Sequence, residues 1–92
     1  MPSLDDSFVR RADVLARETP EGAVLVDMMS GQCWELNRIG ATLWSLLESP
    51  VSLRHVCDVV LTRYKADADT VQRDVMALAT DLAKAGLVVT PR

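Results

Sequence analysis

The chain has 92 residues, a formal net charge of −3 and a pI near 4.9, with 49% apolar, 25% charged and 4% aromatic residues. That is the composition of one soluble globular domain over residues 1–92, small enough that folding buries only about 60–65% of the surface its unfolded chain exposes. Its acidity argues against a polyanionic partner. No run of about 18 apolar residues is present to cross a membrane, and the start, MPSLDDSFVRRADVLA, lacks the apolar stretch of a secretion signal, so a cytoplasmic location is expected.

Met1 to Asp6 carry little pattern and are expected to be flexible. From Phe8 to Thr19, Phe8, Ala12, Val14 and Ala16 alternate loosely with Val9, Arg11, Asp13, Leu15 and Arg17, which reads as one strand. Thr19-Pro20-Glu21-Gly22 is a turn, since proline presets one dihedral and glycine accepts a positive one, and it returns the chain antiparallel. Val24, Val26 and Met28 then alternate with Leu25 and Asp27; past a Ser30-Gly31 turn, Trp34 and Leu36 alternate with Cys33 and Glu35. Two more strands are expected there.

At Asn37 the period changes to that of a helix, with Ile39, Leu43, Leu46 and Leu47 on one stripe and Asn37 placed to cap the first amides. The helix is expected from about Arg38 to Glu48 and stops at Ser49-Pro50, because the residue before a proline is pushed out of helical geometry. Ser52 can cap a second helix whose stripe is Leu53, Val56, Cys57, Val60, Leu61 and Tyr64, with His55 on its wet side. In a third helix, Asp69-Thr70-Val71-Gln72 resembles a capping box, Val71, Val75, Leu78 and Leu82 form the inner stripe, and Gly86 marks the end. An apolar LVVT tail then packs back. Beside the inner stripe, Gln72, Met76, Ala79 and Ala83 make a row that lets another backbone approach closely, either the domain's own hairpin or a partner.

The residues name no chemistry. Cys33 and Cys57 stand 24 apart without a CxxC, and one histidine completes too few ligands for zinc, so no metal and no cofactor is expected. Cys57 lies within an apolar stripe and reads as a small buried side chain. There is no serine elbow, phosphate loop or paired-acid constellation, so no enzyme is expected.

The series Asp27-x-x-Ser30-Gly31, then Leu36-Asn37-x-x-Gly40-x-x-Leu43-Trp44, with the Leu82-x-x-x-Gly86-Leu87-Val88 ending, resembles the PqqD-like family, small proteins also called RiPP recognition elements. The resemblance runs over roughly residues 9 to 88. It implies an α+β, winged-helix-like fold in which a three-stranded antiparallel sheet is followed by three helices. It also implies a non-catalytic role, binding the leader segment of a ribosomally made precursor peptide by strand addition and presenting it to a processing enzyme. Carried onto this sequence, the leader-binding edge is Gln32, Cys33, Trp34, Glu35 and Leu36, and the facing helix carries Asp69, Gln72, Arg73, Val75, Met76, Ala79 and Ala83. Trp34 either walls the peptide groove or lies in the core.

A stand-alone chain of this size resembles the split recognition proteins of lasso-peptide clusters, whose partner is a leader peptidase; PqqD-type proteins serving radical-SAM enzymes are the alternative. A winged-helix DNA binder is disfavoured, because the third helix sets only Arg73 and Lys84 against Asp69, Asp74 and Asp81. A dimerisation module is a further alternative, since an uncovered edge strand can pair with its own copy, and a monomer or weak homodimer is expected.

Overall fold

The computed structural model describes residues 3–91. In chain order it contains β1 (Ser7–Arg10), β2 (Val14–Thr19), β3 (Gly22–Asp27), β4 (Cys33–Asn37), α1 (Arg38–Leu46), β5 (Val51–Ser52), α2 (Leu53–Arg63), α3 (Ala68–Lys84) and β6 (Val88–Val89). An antiparallel sheet in the order β2-β3-β4 is followed by three helices, the α+β, winged-helix-like arrangement that the resemblance implies. A second small sheet, in the order β5-β1-β6, lies outside that expected arrangement.

That second sheet corrects the reading of Phe8 to Thr19 as one strand. Ser7 and Phe8 pair with Ser52 and Val51, and Val9 and Arg10 pair with Val89 and Val88. The chain leaves this sheet at Arg11–Asp13 and enters the other at Val14. Arg11 enforces the crossing: its backbone N–H donates to Leu87 O at 3.0 Å, and its guanidinium donates to Gly86 O at 2.9 Å and to the carboxylates of Asp13 and Asp27 at 2.9 and 3.1 Å. Phe8 and Val14 are buried, whereas Ala12, in the crossing, and Ala16, on the edge strand β2, are exposed. Ser3–Asp6 are hydrogen-bonded to the start of α2, with Leu4 O and Asp6 O accepting from Arg54 N and Leu53 N; Met1 and Pro2 lie outside the described residues.

Of the two hairpin turns only the second uses a positive φ: Gly31 takes one, whereas Gly22 does not, against the expectation for the Thr19–Gly22 turn. Thr19 pairs with Gly22 across Pro20-Glu21, and Thr19 Oγ1 accepts from Gly22 N at 3.1 Å. Gly22 is required by close approach, since a Cβ there would stand 1.8 Å from the Leu36 carbonyl oxygen on β4. Between β3 and β4, Gly31 takes φ 76° and its N–H donates to Asp27 O, while Asp27 N donates to Gln32 O at 2.9 Å. This is a glycine bulge, with Gly31 and Gln32 together opposite Asp27.

β4 passes into α1 without a loop. Asn37 is the last strand residue and the helix cap, its side-chain oxygen accepting from Gly40 N at 2.9 Å. Ser52 caps α2 in the same way, accepting from His55 N at 3.1 Å. α1 ends at Leu46, slightly short of the expected Glu48. The cap of α3 is corrected: Asp67, not Asp69, accepts from Thr70 N at 3.0 Å, and Asp69 sits inside the first turn, where a carboxylate favours the helix dipole. α3 closes in a turn at Gly86, φ 77°, with Leu87 N donating back to Leu82 O.

The core lies between the inner face of the β2-β3-β4 sheet and the three helices. Leu25, Leu43, Leu47, Leu53, Val56, Val60, Leu82 and Leu87 are fully enclosed. Arg10 ties β1 to α1, its guanidinium 5.7 Å from the Trp44 ring centroid and donating to Trp44 O at 3.1 Å. No helix among the described residues is long and apolar enough to cross a membrane.

Candidate peptide-binding edge

Among the described residues, β4 is paired on one side only. In an antiparallel ladder, residues alternate between those exchanging bonds with the partner and those pointing away. Asp27 N bonds to Gln32 O, and the register sets Leu25 opposite Trp34 and Ala23 opposite Leu36. Trp34 and Leu36 therefore face β3 with their backbone groups, and the N–H and C=O of Cys33 and Glu35 point to the open edge. An extended chain laid along β4 meets two donors and two acceptors in the spacing of a strand.

The side chains follow the pleat. Cys33 and Glu35 are exposed on the outer face, whereas Leu36 is buried and Trp34 half-buried on the inner face, packed against the core. This places the Trp34 ring on the core side of the sheet. Its indole Nε1 is enclosed yet has no acceptor among the described residues. Gln32 is exposed in the bulge just before the strand.

Beside the β4–α1 junction, an open cleft of about 390 Å³ runs between the strand and α3. Leu36, Ile39 and Gly40 line it from one side, and Asp74, Ala77, Leu78 and Asp81 from the other, with Glu35 and Asn37 at its end. Its narrow waist depends on Gly40, where a Cβ would lie 3.0 Å from Leu78 Cδ2 and 3.1 Å from Leu36 Cβ. Positions 74, 77, 78 and 81 form one helical row, i, i+3, i+4 and i+7.

The expected helix residues sit differently. Val75 and Ala79 are enclosed in the core at 1% and 0% exposure, so of the small-residue row only Ala79 is fully taken up by packing inside the domain. Met76 is half-buried against the core; Asp69, Gln72, Arg73 and Ala83 are exposed, and none of these seven residues lines the cleft. Helical geometry puts Gln72, Met76 and Ala83 on one flank of the buried stripe and the cleft row on the other. The α3 residues that line the cleft, Asp74, Ala77, Leu78 and Asp81, are not among those that the resemblance implies. The available signal was the row spacing itself, with Leu78 assigned to the inner stripe.

The base of the β3–β4 hairpin is held electrostatically. The Asp27 carboxyl accepts from Met29 N at 2.9 Å and pairs with Arg11 at 3.1 Å. It is held below the usual carboxylate range chiefly by the Met29 N–H, then by the Ser30 hydroxyl and the Arg11 guanidinium, against the opposing effect of burial. Asp13 is lowered first by its bond to Arg11. Burial pushes the Cys57 thiol up, which keeps it protonated and inert. Among the described residues, no group of His, Cys, Asp and Glu is clustered to hold a metal ion.

The family model described as coenzyme PQQ synthesis protein D (PqqD) matches residues 22–88. Two solved structures share the fold. TbiB1 in complex with the TbiA(beta) leader peptide is 25% identical, with a TM-score of 0.76, the alignment covering 91% of this chain and 98% of that one. A lasso peptide synthetase B1 complexed with the leader peptide is 30% identical, with a TM-score of 0.71 and coverage of 89% and 96%. A comparison with curated proteins finds no match.

Proposed function

The chain belongs to the PqqD family, and from that membership we propose that it is a non-catalytic adaptor which binds the leader segment of a ribosomally synthesised precursor peptide and presents it to a processing enzyme. The observation that carries the reading is the open β4 edge beside an apolar-floored cleft, in a chain similar over most of its length to two proteins solved with leader peptides. The leader adds as a strand to Cys33 and Glu35, each net hydrogen bond contributing about 0.5–1.5 kcal/mol. Backbone pairing reads any extended chain, so selectivity comes from side chains entering the cleft over Leu36, Ile39 and Leu78.

The binding surface comprises the edge Gln32–Leu36 and α3. Within α3, the row of Asp74, Ala77, Leu78 and Asp81 faces the peptide, while Val75 and Ala79 support it from within. The likeness to a lasso peptide synthetase B1 favours a leader peptidase of a lasso-type pathway as the partner enzyme, acting in the cytoplasm. The domain works as a monomer or weak homodimer, and a symmetric dimer through β4 would compete with the peptide for that edge.

Titration of a labelled leader peptide encoded beside this gene, with amide chemical-shift mapping, tests the reading. Saturable shifts at Cys33–Asn37 and along Asp74–Asp81 are expected. A folded spectrum with no perturbation at that edge would overturn it.

A further inference from the structure

The cleft that would receive the leader side chains is chemically lopsided. Its rim carries three carboxylates, Glu35, Asp74 and Asp81, and no lysine or arginine lines it. None of the three carboxylates forms an ion pair or accepts a side-chain hydrogen bond among the described residues. Arg73, next to Asp74, and Lys84, three residues beyond Asp81, are the nearest bases on α3, yet both are outside the cleft and unpaired with those acids. The basic neighbour Arg38 is turned the other way, donating to Pro20 O at 3.4 Å.

Resting on the leader-binding reading, we infer that the segment seated between β4 and α3 carries a lysine or arginine two residues from an apolar anchor. The spacing follows from geometry. Asp74 and Asp81 are seven residues apart on one helical row, about 10 Å along the axis, and Ala77 and Leu78 form the apolar patch midway. In an added strand, alternate residues face the helix about 7 Å apart. An apolar side chain over Leu78 and Leu36 therefore brings the next same-face residue to the level of one aspartate, within reach of a long basic side chain. The aliphatic stem of that side chain covers Ala77 while its charged head stays at the wet rim. A glutamate at the same position would face two like charges with no counter-charge in the cleft. Backbone pairing thus supplies general affinity, and the carboxylate rim discriminates by charge.

The test uses an arrayed library of fluorescein-labelled 12-residue peptides. One anchor position samples the apolar and aromatic residues, and the positions two before and two after it carry Lys, Gln or Glu. Binding is read by polarisation at low and high salt, and the best binders are mapped by amide shifts on the 92-residue chain. The expected order is Lys over Gln over Glu, with about a tenfold span between Lys and Glu in low salt that contracts in 0.5 M NaCl. The exposed double variant Asp74→Asn, Asp81→Asn should level the order, and an unchanged Lys-over-Glu preference in it overturns the assignment of that preference to these two carboxylates. Binding at that edge with equal affinity for all three, or with Glu preferred, overturns the charge selectivity and leaves the adaptor reading standing. Failure of every peptide to shift the edge overturns both.

Discussion

At the scale of single residues, the two cysteines have opposite environments. Cys33 is exposed on β4, whereas Cys57 is enclosed in α2 and its thiol is pushed up by burial, with Asp58 adding to the effect. A thiol reagent at neutral pH should modify one cysteine in the native protein and two in denaturant; rapid labelling of both in the native state would contradict this burial. Alongside Asp13, Asp27 contributes to acid sensitivity. Its folded carboxyl lies below the ordinary value of 3.8, so its stabilising contribution is complete above that value and is lost as pH falls through the lower, folded value. Asp27→Asn should lower the melting temperature at pH 7 and flatten its fall below about pH 4. A circular-dichroism melt series gives both limbs, and an unchanged acid limb would remove Asp27 from the account.

At the scale of elements, β4 combines two duties without interference because of its pairing parity. Its inward backbone groups belong to β3 and its outward ones, on Cys33 and Glu35, are free. A proline at an outward position removes an edge donor but no ladder bond, a setting in which strands tolerate it. Glu35→Pro should keep the folded spectrum and weaken leader affinity by about tenfold or more, whereas Glu35→Gln keeps the edge donor and should lose far less. Equal affinities for the two variants would show that the leader does not pair with β4. The position of α3 against this strand is set by Gly40 and Leu78, so the cleft's width is a property of helix packing and not of loop conformation.

At the scale of the molecule, the β5-β1-β6 sheet clasps the starts and ends of distant elements. Phe8 pairs with Val51 just before α2, and Val9 with Val89 just after α3, so four residues of β1 join both flanks of the helical layer. Phe8 is 5% exposed within the core. Phe8→Ala should cost about 3–5 kcal/mol by urea unfolding, within a single cooperative transition. A loss under about 1 kcal/mol would mean that β1 is an accessory strand and that the winged-helix layer stands alone.

Much of this was legible in the amino-acid order, because periodicity and capping act over a few residues. The β3–β4 hairpin, the Asn37 and Ser52 caps, the stop at Gly86 and the enclosed stripe of α2 are local, and each follows from residues close to it in the chain. The family resemblance likewise rested on contiguous motifs and implied a sheet followed by three helices. Tertiary structure decided the rest. The partners of β1 lie 43 to 80 residues away, beyond any local pattern, so its separate sheet could not be read from alternation. Nor could the side of α3 that faces β4. Both flanks of its buried stripe have plausible rows, one of small residues and one of acids around Leu78, and only the packing of Leu78 over Gly40 and Leu36 turns the acidic row toward the open edge.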